Sequence, residues 1–164
     1  MSALAVALSE DKIKRGDLCI SSLFSSNICF VKKEIYDDIV QKIGAAPIES
    51  GGILGIKDGV ICSFYFDHTS PSRNDEYIPD ISVLNEVIKN WFDLGIDFAG
   101  IVHSHPNSYD RPSSGDYIYV RRLKKSNPQL EKVFFPIVTK TNEKTNITFY
   151  IYENNFKLAK VKII

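Results

Sequence analysis

Cysteine is scarce in this chain. Cys19, Cys29 and Cys62 are the only three among 164 residues, widely spaced and without a CxxC pair. They indicate no disulfide framework and read as buried, reduced thiols of a cytoplasmic protein. An excess of one charge is also missing: 20 basic residues balance 20 acidic ones, so no global field recruits nucleic acid or an anionic membrane. The local basic group Arg121, Arg122, Lys124 and Lys125 reads as the solvated C-terminal end of a helix, where cations complement the dipole. No apolar run approaches transmembrane length. Residues 3–8 are apolar, but no Lys or Arg precedes them and the run is too short for the core of a secretory signal. The expectation is a cytoplasmic protein with a loose N-terminus. No internal repeat or low-complexity linker marks a boundary, so residues 1–164 are read as one domain, long enough to bury a core without staples.

What is present alternates between strand and helix signals. Residues 18–22 and 27–31 read as short strands. Residues 32–43 carry Ile35, Ile39, Val40 and Ile43 on a helical stripe that Gly44 is expected to end. Residues 51–56 and 60–66 are apolar and β-rich around Lys57-Asp58-Gly59, a hairpin signal. A polar loop over 69–75 leads to a helix opened by Pro79 and Asp80, with Val83, Leu84, Val87, Ile88 and Trp91 on its buried face up to Gly95. The continuous apolar run 98–102 suits a central strand covered on both faces. Ser113 or Ser114 caps a helix that runs to about Ser126 and stops at Asn127-Pro128. Residues 133–138 and 147–152 are strands around a polar turn. This order predicts an α/β sandwich around a central mixed sheet, not a doubly wound parallel one.

Two of the three histidines stand at the end of the 98–102 run, in His103-Ser104-His105-Pro106. Side chains at i and i+2 share one face of a strand, so both imidazoles can reach one ion. Ser113-x-x-Asp116 has the form of a capping box. Beside the histidine pair Asp116 is also the nearest third ligand, and Asp110 and His68 are rivals for that place. Two His, one Asp and an open fourth position are the ligand set of a catalytic zinc site. Glu49, just before Gly51-Gly52, offers a carboxylate able to take a proton from a zinc-acidified water, where the glycines permit close approach.

Together, Glu49-Ser-Gly-Gly-Ile-Leu-Gly55, His103-Ser-His105-Pro106 and Ser113-x-x-Asp116 resemble the JAMM motif of the MPN/JAB domain metalloproteases: an early Glu, H-[ST]-H-P and S-x-x-D. The resemblance spans about residues 28–152. It implies the cytidine-deaminase-like α/β fold, with Zn²⁺ bound by His103, His105 and Asp116. It further implies that Glu49 holds and deprotonates the fourth-site water and that Ser113 hydrogen-bonds the oxyanion. The implied substrate is the amide or isopeptide bond after the C-terminal glycines of a ubiquitin-like protein. The stretch from Phe66 to His103 lacks the long insertion of eukaryotic deubiquitinases, so the chain looks like a compact bacterial member. Such proteins process ubiquitin-like or sulfur-carrier proteins, some in antiviral operons. Arg73, Asn74 and Tyr77 stand on the loop that would flank a tail groove, though a plain surface loop is the better reading of them.

Two other readings share parts of this pattern. A non-catalytic MPN scaffold would typically lack the ligands that this chain keeps, and a metallopeptidase acting on ordinary peptides would share every residue of the site. A base deaminase would need H-x-E and P-C-x-x-C, which are absent.

Overall fold

The computed structural model describes residues 27–72, 76–141 and 144–164. Cys19, the strand expected at 18–22 and the loop residues Arg73 and Asn74 lie outside the described residues, as does the expectation of a loose N-terminus. The elements run β1 (Ile28–Val31), α1 (Lys33–Ala45), β2 (Gly51–Lys57), β3 (Val60–Phe66), α2 (Ile81–Asp93), β4 (Asp97–His105), α3 (Ser114–Ser126), β5 (Val133–Lys140), β6 (Thr145–Tyr152), β7 (Phe156–Leu158) and β8 (Lys160–Ile163). The strands form one 8-stranded sheet in the order β7-β6-β5-β4-β2-β3-β1-β8. It is mixed: β4–β5, β1–β3 and β1–β8 are parallel, the other pairs antiparallel. The expected α/β sandwich is what forms.

Alternation along the central strands sorts the core into two layers. Ile53, Ile101, Phe135 and Ile137 pack against Leu84 and Ile88 of α2 and Val120 and Leu123 of α3. Their chain neighbours Leu54, Val102, Phe134 and Val138 face the other way, onto Ile39 and Ile43 of α1. Strands covered on both faces need apolar residues at every position, which is why 98–102 is continuous rather than alternating. Each fully buried Leu or Ile contributes roughly 1.5–3 kcal/mol from apolar burial, so both faces of the sheet are committed.

The β2–β3 hairpin turns on Asp58 and Gly59, both at positive φ (51° and 81°), the pair of angles that a two-residue type I′ turn requires. Two expectations need correction. Gly44 does not end α1; it lies within the helix, where a Cβ would stand 3.0 Å from Thr145 Oγ1, so its smallness serves close packing on β6. The helix stops instead at extended Ala46 (φ −64°, ψ 135°), whose backbone the following Pro47 keeps out of the α region. The central strand runs to His105, as expected of two histidines on a strand end that Pro106 stops. Finally, β7 and β8 add an edge strand at each end of the sheet, neither of them expected. Among the described residues no helix is long and apolar enough to cross a membrane.

Candidate metal centre

β4 lies in the middle of the sheet, between β2 and β5. Beyond Ile101, which is buried among α2 and α3 residues, the same face carries His103 and His105. Both are buried, at 6% and 9% exposure. Pro106 follows the last residue of the strand, so the two rings sit at its C-terminal end.

α3 brings the third group to the same face. Its N-cap is Ser113, whose Oγ accepts from the Asp116 N–H at 3.2 Å, while Asp116 Oδ2 accepts from the Ser113 N–H at 2.6 Å. This reciprocal capping box fixes the Asp116 rotamer. The same carboxylate meets both histidines: Oδ1 lies 3.1 Å from His103 Nε2 and Oδ2 lies 3.2 Å from His105 Nε2. The two Nε2 atoms are 2.8 Å apart. Capping and ligand geometry thus coexist in one side chain. Ligand atoms around a tetrahedral zinc ion, at about 2.0–2.2 Å from it, stand about 3.3 Å from one another. The three observed separations fit that pattern slightly contracted, and the nitrogen, nitrogen, oxygen donor set suits a borderline-soft cation. Among the described residues this is the only cluster of such groups. His68 is exposed and turned to Tyr65 and Phe66, and exposed Asp110 is also outside the cluster.

The two rings are oriented by different means. His105 Nδ1 lies 3.0 Å from the Tyr109 carbonyl. A carbonyl only accepts, so Nδ1 carries the proton and Nε2 presents its lone pair to the cluster. The Tyr109 carbonyl is placed by a tight turn in which the Tyr109 N–H donates to the Pro106 carbonyl at 3.1 Å. Asn107 and Ser108, at φ 54° and 56°, supply its two left-handed residues. His103 Nδ1 has no hydrogen-bond partner among the described residues. Its ring is set by aromatic contacts: Tyr77 stacks on it at 6.4 Å and Phe135 meets it edge-on at 5.1 Å. Tyr77 is itself tied down, donating to Asp67 Oδ2 at 2.9 Å, and the Asp80 N–H donates to the same oxygen at 2.8 Å.

Burial shapes the charges. It works against ionised Asp116, but the hydrogen bonds from His103 and His105 outweigh it and hold the carboxyl far below the usual carboxylate range. Burial likewise opposes a charged His105; there Asp116, the Tyr109 carbonyl and Glu49 prevail and raise its pKa. His103 is more deeply enclosed, and burial lowers its pKa despite Asp116. The two shifts run in opposite directions, so without a metal His105 takes up a second proton more readily than His103. Burial and Asp67 push the Tyr77 hydroxyl well above its ordinary value.

Glu49 is buried at 9% exposure, just ahead of β2. Gly51 pairs with His103, and continuing that antiparallel register sets Glu49 opposite His105, on the same face. Glu49, Ser113 and the three-residue cluster line one cleft of about 1510 Å³, with apolar walls that include Tyr77, Ile78, Ile81, Ile118 and Phe135. All five residues singled out in the sequence thus open on one cleft. Asp67, Phe135 and the Tyr109 carbonyl were not anticipated. Only Tyr109 left a trace in the sequence, since Asn-Ser after Pro106 is turn-forming chemistry. Of the basic group on α3, Lys124 binds the Glu131 and Glu153 carbonyls at 2.8 and 2.6 Å, a cross-link to the β5–β6 side rather than a solvated charge.

The family model described as prokaryotic homologs of the JAB domain matches residues 32–152. Similar solved structures include a protein from Desulfitobacterium hafniense, at 19% identity and a TM-score of 0.65 over 84% of this chain and 92% of that one. A JAB1/MPN domain protein from Archaeoglobus fulgidus aligns at 19% identity and a TM-score of 0.50, over 84% and 99% of the two chains. A structure described as a metalloprotease-like zinc site in the proteasome and signalosome aligns at 17% identity and a TM-score of 0.50, over 82% and 98%. At these identities the likeness is one of fold. No curated protein matches the chain.

Proposed function

The chain belongs to the prokaryotic homologs of the JAB domain, and from that premise we propose that it is a zinc-dependent isopeptidase or peptidase, cleaving the amide bond after the C-terminal tail of a ubiquitin-like protein. The family and the His103-His105-Asp116 cluster together support a metallopeptidase. The observation that carries the reading is the convergence of three ligand atoms beside Glu49 at a cleft. His103, His105 and Asp116 would hold the zinc, which when bound would supply Lewis acidity for a scissile carbonyl and acidify the attacking water.

The remaining steps belong to the chain. Glu49 takes a proton from the attacking water and returns it to the leaving amine, acting as base and then acid. Ser113 Oγ already accepts from the Asp116 N–H, which leaves its own proton for the developing oxyanion. Buried walls around the histidines exclude bulk water and strengthen these contacts. The cleft volume, about 1510 Å³, exceeds the roughly 300–1,000 Å³ of a small-molecule site. It suits an extended chain segment, and a glycine tail has the slimness to pass the Tyr77 wall and reach the cluster.

The test pairs metal content with cleavage of two probes, ubiquitin and a prokaryotic sulfur-carrier protein, each bearing a C-terminal aminocoumarin amide. The wild type is expected to hold about one zinc per chain and to release coumarin. His105→Ala loses both, and Glu49→Ala keeps the zinc but not the cleavage. Wild-type protein that binds no zinc after reconstitution would favour a non-catalytic scaffold. Zinc-dependent hydrolysis of ordinary peptides but of neither probe would favour a general metallopeptidase.

A further inference from the structure

Ser104 stands between the two histidines, and strand alternation turns its side chain to the opposite face of the sheet, away from the cluster. Its hydroxyl is engaged in the backbone instead. The last regular rung between β2 and β4 pairs Gly51 with His103. One residue further on, the Ser104 N–H donates to the Ser50 carbonyl at 2.8 Å. In a regular antiparallel ladder the return bond of such a pair runs from the Ser50 N–H to the carbonyl of the opposite residue. Here the Ser50 N–H donates to the Ser104 hydroxyl at 3.0 Å. That hydroxyl also lies 3.3 Å from the Ser50 carbonyl, to which it donates. A side chain thus supplies the acceptor that completes one more rung where the strand pairing ends. Both residues are buried, so no bulk water substitutes for the missing partner.

The rung matters because Glu49 is the next residue outward. The Ser50 side chain gives no anchor, since its Oγ has no hydrogen-bond partner among the described residues. It is the Ser50 backbone that is held. We infer that Ser104 is a positioning residue which, through this side-chain rung, fixes the Glu49 segment against the strand that carries His103 and His105. This rests on the reading of Glu49 as the proton-transferring base. In this arrangement one three-residue strand end sets both halves of the site, with its outer residues facing the metal and its middle residue holding the carboxylate in register.

Three readouts on Ser104→Ala and Ser104→Thr test this. First, exchange of the Ser50 amide proton in the metal-free protein, followed by NMR, speeds up about tenfold or more in Ser104→Ala and returns to the wild-type rate in Ser104→Thr, which keeps a hydroxyl. Second, zinc content stays at the wild-type level in both variants. Third, kcat for whichever coumarin probe the wild type cleaves falls about tenfold or more in Ser104→Ala, with KM within about twofold, because misplacing the base by even a small amount weakens proton transfer; Ser104→Thr recovers it. An unchanged Ser50 exchange rate in Ser104→Ala, or loss of zinc in step with activity, overturns the inference. A wild type that cleaves neither probe removes the assigned reaction instead, while the Ser50 exchange rate still decides whether Ser104 closes the rung.

Discussion

The Tyr77 ring occupies the space where a side chain at residue 51 would stand: a Cβ on Gly51 would lie 2.6 Å from Tyr77 Cε1. Gly51 therefore lets a loop aromatic lie over β2 and stack on His103. Gly51→Ala is expected to displace the ring and to cost about 1–3 kcal/mol, as overpacking does in a closed site. In the Tyr77→Ala background the same alanine should cost less, because of its two obstacles only the Val102 carbonyl, also 2.6 Å from that Cβ, remains. Urea unfolding of both single variants and the double variant gives the coupling. Strictly additive losses would mean that the two residues do not compete for this space.

Tyr77→Phe separates the ring from its hydroxyl. The stack on His103 is retained, but buried Asp67 loses the 2.9 Å bond and keeps the Asp80 N–H and the 3.3 Å contact from Thr69. A hydrogen bond to a charged group is worth roughly 1.5–3 kcal/mol, and a loss of that order in the unfolding free energy is expected, with zinc content unchanged. A Phe variant as stable as the wild type would show that the Asp67 bond adds nothing to the wall.

Zinc binding should be coupled to protons through His105. The metal takes the neutral imidazole, while Asp116, the Tyr109 carbonyl and Glu49 favour its protonated form in the metal-free protein. Falling pH through that raised pKa puts a proton where the metal binds. The apparent affinity should then drop about tenfold per pH unit for each proton displaced. Above that pKa no proton is left on His105 to displace, and the dependence flattens. Competition with a chromophoric chelator over a pH series measures it. Affinity that stays level as the pH falls below neutral would show that His105 Nε2 carries no proton in the metal-free state.

The ligand cluster was legible in the sequence because its spacings are local. Strand alternation puts His103 and His105 on one face, and the three-residue step of a capping box puts Asp116 at the head of a helix. Of the cleft wall only Tyr77 was named from the sequence; its tie to Asp67 and the place of Phe135 against His103 were not legible, since these groups come together only after the chain folds. Gly44 misled because glycine also serves close packing, here against Thr145. The edge strand Lys160–Ile163 was missed for a similar reason. Its four residues carry little signal alone, and its partner β1 lies near the other end of the chain.

Ser113 holds two assignments that alanine alone cannot separate: it caps α3 and, in the proposed mechanism, donates to the oxyanion. Glycine is nearly as good an N-cap as serine, whereas alanine costs about 1 kcal/mol there. Both substitutions remove the hydroxyl. Ser113→Gly should therefore stay within a few tenths of a kcal/mol of wild-type stability, and Ser113→Ala should lose about 1 kcal/mol. If the hydroxyl serves the transition state, both variants should lose about 10²–10³ in kcat, the usual effect of deleting one oxyanion donor. If capping is its whole role, activity should follow stability, and Ser113→Gly should cleave the coumarin probe at nearly the wild-type rate. Unfolding and kcat measured side by side on the two variants decide between the roles.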